Sequence, residues 1–215
     1  MGAEHPHPHP HPRDWGTPPR SLVRRLLDRV RALAGTDRGE ERRAGGELPV
    51  ALRRSELGPS YLAADARGDH PSAATTAASA SERAIEAGEW WQADAWAHRA
   101  LWHYEQAEMT LEATRQARRI GDLRTAAGDP ASARRYYAEA IDEARDIGAE
   151  REQGLAALGL GRAHVDMGEV TTGRRLGRAA IELLERSEAP AGELEAARAL
   201  LGTEVAVGEG SKEDA

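Results

Sequence analysis

The stretch from Gly128 to Gly148 reads GDPASARRYYAEAIDEARDIG and carries the start, the face and the stop of one helix. Asp129 is a residue type that caps a helix N-terminus through its side-chain oxygen. Pro130 suits the first helical position, where a missing N–H leaves no bond unmade. Ala133, Tyr137, Ala140, Ile141, Ala144 and Ile147 then recur on one face. Gly148 closes the segment, because glycine enters the left-handed region without a Cβ clash. The pattern predicts a helix over 130–147.

Outward from this stretch the same punctuation returns. Gly88-Glu89, Gly128-Asp129, Gly168-Glu169 and Gly208-Glu209 stand 40 residues apart. Small or apolar residues keep that register at Ala93, Ala133 and Gly173, at Ala100, Ala140 and Ala180, and at Leu101, Ile141 and Ile181. Further turn signals at Gly68-Asp69, Gly148 and Ala189-Pro190 halve the spacing, with one unmarked turn expected near Glu108. Each interval has room for a helix of about four turns. Helix pairs repeated at a fixed period stack into an α-solenoid, each pair burying its apolar face on the next. The expected fold is all-α: an α-solenoid of antiparallel helix pairs over residues 61–210.

The residues resemble the tetratricopeptide repeat in its form of about forty residues. Ile120-Gly121, Gly128-Asp129, Ala133, Tyr137 and Ala140 fit one whole repeat. Leu160-Gly161, Gly168-Glu169 and Ala180 fit a second. Ala93, Ala97 and Ala100 fit an earlier second helix, and Leu200 with Gly208-Glu209 a final first helix. Arg124 and His164 stand where the family has an aromatic, and Gly173 and Gly177 replace its alanine and aromatic. Glycine costs about 1 kcal/mol in a helix interior, so the helix from Val170 is expected to be the weakest internal one. The resemblance implies a concave groove lined by first helices, a peptide or helix of a partner protein as ligand, and no catalysis. It places Arg115, Arg118, Asp122 and Thr125 on the groove in one repeat, and Leu158, Arg162, Val165 and Asp166 in the next. The family's carboxylate clamp of lysines and asparagines cannot form: the chain has no asparagine, and Lys212 is its one lysine.

Composition narrows the classes of function. The chain has 215 residues, no cysteine and no phenylalanine. Disulfides, thiolate metal sites and cysteine catalysis are thereby excluded. The net charge of −7 is uneven. Residues 1–60 hold 11 Arg against 8 Asp/Glu, while residues 61–215 hold 18 Lys/Arg against 28 Asp/Glu. An acidic repeat body repels phosphate, so nucleic acid is not an expected partner. No apolar run suits a signal peptide or a membrane span, and a cytoplasmic protein is expected.

The N-terminal third differs in kind. His5 to Pro12 alternates histidine and proline, which prevents helix and predicts a disordered leader over 1–19. Such a run offers imidazoles to a metal ion but no fixed geometry. Ser21 to Ala34, within a segment 20–35, reads as an amphipathic helix. Leu22, Leu26, Val30 and Leu33 form its stripe, with Arg24, Arg25, Arg29 and Arg31 around it. A linker is expected over 36–60 and a tail over 211–215. The basic helix could dock on the acidic repeats, on another protein or on an acidic membrane, and charge complementarity favours the first.

Trp90, Trp91, Trp96, Trp102 and Tyr104 crowd into one predicted helix. One face cannot bury four tryptophans. Either neighbours cover that helix from both sides, or a ring such as Trp90 or Trp96 is left for a partner. His98 and His103 are five residues apart and do not share a face. There is no zinc-ligand spacing, no phosphate-cradling loop and no nucleophile beside a base, so neither an enzyme nor a cofactor is expected. The expected function is a non-enzymatic scaffold or adaptor binding a protein segment on the repeat surface, with self-association through exposed ends as a further expectation. A regulatory sensor module and a metal-handling protein are the alternatives.

Overall fold

The computed structural model describes residues 48–202. The His-Pro leader, the basic segment, residues 36–47 of the expected linker, the end of the expected repeat with Gly208-Glu209, and the tail lie outside them. Within them the chain is helical and contains no strand. The helices are α1 (Val50–Arg53), α2 (Gly58–Ala66), α3 (His70–Glu86), α4 (Trp90–Gln106), α5 (Thr110–Ala126), α6 (Pro130–Asp146), α7 (Glu150–Asp166), α8 (Val170–Arg186) and α9 (Ala191–Gly202). Each packs chiefly on its neighbours in sequence, and α5 also touches α7, as α7 touches α9. This is an α-solenoid of helix pairs. Among the described residues no helix is long and apolar enough to cross a membrane.

The frame is stricter than the sequence suggests. α3 to α8 are each 17 residues long. Positive φ falls at Gly68, Gly88, Glu108, Gly128, Gly148, Gly168 and Glu188, every twentieth residue. After each, the next N–H donates to a carbonyl five residues back: Glu89 to Ala84 (2.8 Å), Met109 to Tyr104 (3.0 Å), Asp129 to Arg124 (2.9 Å), Ala189 to Leu184 (2.9 Å). This bond closes a helix that ends on a left-handed residue. At the starts, Asp69 and Asp129 accept from the N–H of Ser72 (3.2 Å) and Ser132 (3.0 Å), as the cap reading of Asp129 requires. These bonds hold both carboxyls below the usual carboxylate range.

Small residues set how closely the helices approach. Ala93, Ala97, Ala100, Ala133, Ala140, Ala144 and Ala180 are fully buried at the contacts. Tyr137 fills a slot between α5 and α7, at Gly121 and Gly159, where any Cβ would overlap its ring. At the crossing of α7 and α8, a Cβ on Gly173 would lie 2.6 Å from the Gly161 carbonyl oxygen. The glycine that departs from the repeat pattern is therefore a close-contact residue. Ile147, read as part of the buried face of α6, is exposed, because it is the cap beyond the last helical turn.

The linker expected to run to residue 60 ends earlier. α1 and α2 together span 50–66, the place of one full helix in the twenty-residue frame. Leu48, Leu52 and Tyr61 are buried in a core shared with Trp96 and the alanines of α3. Pro59 does not mark a linker; it sits in the first turn of α2, where proline is tolerated.

Candidate functional site

The first helices α3, α5, α7 and α9 are joined by a ladder of ion pairs. Arg119 of α5 meets Glu82 of α3 at 2.5 Å. Arg115 Nε donates to Glu152 Oε1 of α7 at 2.8 Å. Arg151 makes a two-pronged pair with Glu193 of α9, at 3.0 and 2.6 Å. That pairing raises the Arg151 guanidinium and lowers the Glu193 carboxyl. Such pairs fix register more than they stabilise, at about 0–1 kcal/mol each.

Arg118, Asp122 and Thr125 join the same network. Arg118 Nη1 donates to Asp122 Oδ2 at 2.9 Å, and its Nε stands 3.5 Å from Glu152 Oε2. Asp122 Oδ1 accepts from the Tyr137 hydroxyl at 2.8 Å, and the Thr125 hydroxyl lies 3.3 Å from it. Burial first, and the Asp122 carboxylate second, push the Tyr137 phenol up. Arg115, Arg118, Asp122 and Thr125 thus do share one face, but Glu152, itself buried, neutralises its arginines from within the chain. Sequence reasoning missed Glu152. The available signal was an acid 37 residues after Arg115, close to the repeat period.

On the next first helix the expected residues separate. Leu158 is only 4% exposed and packs in the core with Leu184 and Leu200, so its assignment to a binding surface is corrected. The packing of α8 and α9 on α7 covers it. Arg162, Val165 and Asp166 remain together and line a cleft of about 270 Å³ with Ala196, Ala199 and Leu200 of α9. Arg162 Nη2 reaches the Ala196 carbonyl at 3.5 Å. The floor is apolar and the rim bears one charge of each sign.

The tryptophans divide. Trp96 is 1% exposed and packs edge-on to Tyr61, with ring centroids 5.1 Å apart. It is a core residue, and the expectation that it meets a partner is corrected. α2 and α3 cover the face on which it stands. Trp90 and Trp91 are 49% and 57% exposed.

A polar cluster outside the expected site lies under α2. His103 is fully buried, with Nε2 3.0 Å from the Tyr61 hydroxyl and Nδ1 3.0 Å from His70 Nδ1. Asp65 stands 3.6 Å from Nε2, and the buried Arg99 faces the same group. Burial pushes the His103 imidazole down to about 4, with His70 and Arg99 adding to the effect and Asp65 opposing it. Burial and Asp65 push the Tyr61 phenol up to about 12. His98 faces elsewhere, with Nε2 2.7 Å from the Tyr136 hydroxyl. Among the described residues no three histidine or acidic side chains form a set able to hold a metal ion. The His-Pro run lies outside them.

Compared with known protein families and with curated proteins, the chain matches none.

Proposed function

We propose that this protein is a non-enzymatic binding repeat of tetratricopeptide type, a cytoplasmic scaffold or adaptor that holds a peptide or helix of a protein partner against its first helices. The observation that carries this reading is the α7–α9 cleft. It gathers Arg162, Val165 and Asp166 over an apolar floor, on the side where first helices adjoin. Arg162 would supply a charge-assisted hydrogen bond to a partner's carboxylate or carbonyl oxygen, and Val165 a contact for an apolar side chain. Arg115 and Arg118 serve instead to hold α5 on α7 through Glu152. Nucleic acid is not a partner in this reading, and exposed array ends leave self-association open to it.

The test is selection of peptides from a random display library on the full chain, followed by affinity measurement on variants. Val165→Arg and Arg162→Glu should each weaken the selected peptides at least tenfold while helicity is retained. Peptides that bind both variants as tightly as the parent would move the site elsewhere.

A further inference from the structure

The turn between α3 and α4 forms an aromatic and acidic corner that nothing in the described chain covers. Ile85, Trp90 and Trp91 are large apolar side chains left exposed there, within seven residues of chain. The turn is tight: the Gly88 N–H donates to Ile85 O at 3.0 Å and the Glu89 N–H to Ala84 O at 2.8 Å. No lysine or arginine occurs from Ala84 to His98. The neighbouring carboxylates divide: Asp94 is tied to Arg124 at 3.0 Å, Glu86 lies in the field of Arg83, and among the described residues neither Glu86 nor Glu89 closes an ion pair. Beside the corner opens a cleft of about 190 Å³, floored by Leu57, Ala80, Ala84 and Ala87, with Glu89 on its rim. Its far wall is the α1–α2 turn, where Arg83 of α3 pairs with Glu56. The cleft has room for one or two apolar side chains, and a helix would have to lie across it.

We propose that this corner is the docking site for the chain's own basic segment, Ser21–Ala34. Three observations select that occupant. The segment carries four arginines against one aspartate, whereas residues 48–202 carry 19 arginines against 25 acids, and at the corner the one lining cation, Arg83, is already paired with Glu56. Arginine beside exposed tryptophan and free carboxylate gains both a cation–π contact and a charge pair. Its stripe of Leu22, Leu26, Val30 and Leu33 supplies apolar side chains to the cleft and to Trp90 and Trp91. The chain also enters the described fold at Leu48, just before the α1–α2 turn that walls the cleft. The 13 residues 35–47 reach up to about 45 Å. A tether of that length gives the segment an effective concentration on the order of millimolar, well above that of a second copy in solution. The contact lies apart from the α7–α9 cleft and stands or falls independently of the function proposed for it.

The chain has no cysteine, so one introduced pair reports on one contact. In the full chain, Leu26→Cys with Ala87→Cys should close into a disulfide within a single chain at a rate independent of dilution. Two controls should lag: Asp28→Cys with Ala87→Cys, on the opposite face of the segment, and Leu26→Cys with Ala127→Cys, the same turn position one repeat later. Equal closure at Ala87 and Ala127, or closure only at the mass of a dimer, would overturn the proposal, the latter in favour of a second copy. A second measurement does not depend on cysteines. In a full-length Trp15→Tyr background, acrylamide should quench the remaining tryptophans more strongly after Arg24→Glu, Arg25→Glu, Arg29→Glu and Arg31→Glu together. The parent should approach that level at high salt, as screening weakens the pairs. Quenching unchanged by the four substitutions would also overturn it.

Discussion

The Tyr137 ring occupies the space a Cβ on Gly121 would need: built there, that carbon would lie 2.7 Å from Tyr137 Cε1. Gly121→Ala should therefore lower stability by about 1–3 kcal/mol through overpacking. Gly192→Ala is the control, since a Cβ there meets nothing within 4 Å and its φ is not positive. Thermal melts of the two variants should diverge, the first falling and the second holding or rising slightly. Equal melting temperatures would mean that the α5–α6 contact has slack.

Glu108 and Glu188 hold the left-handed backbone that glycine holds at the other turns, at φ 56° and 52°. Glu108→Gly should raise stability by about 1 kcal/mol, because the Cβ strain disappears. Gly128→Ala should lower it by a similar amount, although its Cβ would touch nothing within 4 Å. Chemical denaturation resolves both signs. A destabilised Glu108→Gly would show the turn to be held by its side chain.

Ala140 is fully buried and clusters with Ala117 of α5 and Ala156 of α7. Ala140→Arg would place an unpaired charge among three helices, a change worth about 3–5 kcal/mol. Circular dichroism should show the array unfolded or melting far below the parent. A parent-like melt would refute the packing register at α6.

His103 gives the fold a pH dependence of known sign. Its folded value, about 4, lies below the ordinary 6.5. Well above pH 6.5 it is neutral in both states and contributes no slope. As pH falls from 6.5 toward 4 the unfolded chain takes up a proton that the folded chain refuses, so stability falls. The loss across that window is on the order of 3 kcal/mol. His103→Gln should flatten the slope of stability against pH between those values. An unchanged slope would overturn its assignment to His103.

The repeat was legible in the sequence because its joints are chemical. Glycine before an acid is a sequence mark of a turn between helices, and four such pairs 40 residues apart fix the period, although of the three within the described residues only Asp129 closes a side-chain cap. The turns at Glu108 and Glu188 lack glycine, and only the spacing exposes the first of them. The helices at 50–66 were obscured because proline breaks a helix interior but serves a first turn, and Pro59 could be either. That Arg115, Arg118, Asp122 and Thr125 share a face was legible; what they meet there was not. Arg115 and Arg118 stand where the pattern puts them, yet the acid that engages them sits on another helix, and no single-helix periodicity reveals it. Trp96 and Trp90 share one helix and one residue type. Only the placement of Tyr61 and α2 decides which of the two is covered.

The identical joint at every twentieth residue also bears on how such a chain can grow. A cassette cut from one left-handed residue to the second one after it carries a complete helix pair. Its two ends are interchangeable, since the bond spanning five residues reforms whichever copy supplies the donor. In-frame duplication of residues 109–148 would add one pair without a new kind of junction. An insertion that is not a multiple of forty would put a first helix where a second belongs, or shift a left-handed joint out of its place. The molecule is thus open to lengthening in one quantum and closed to nearly every other.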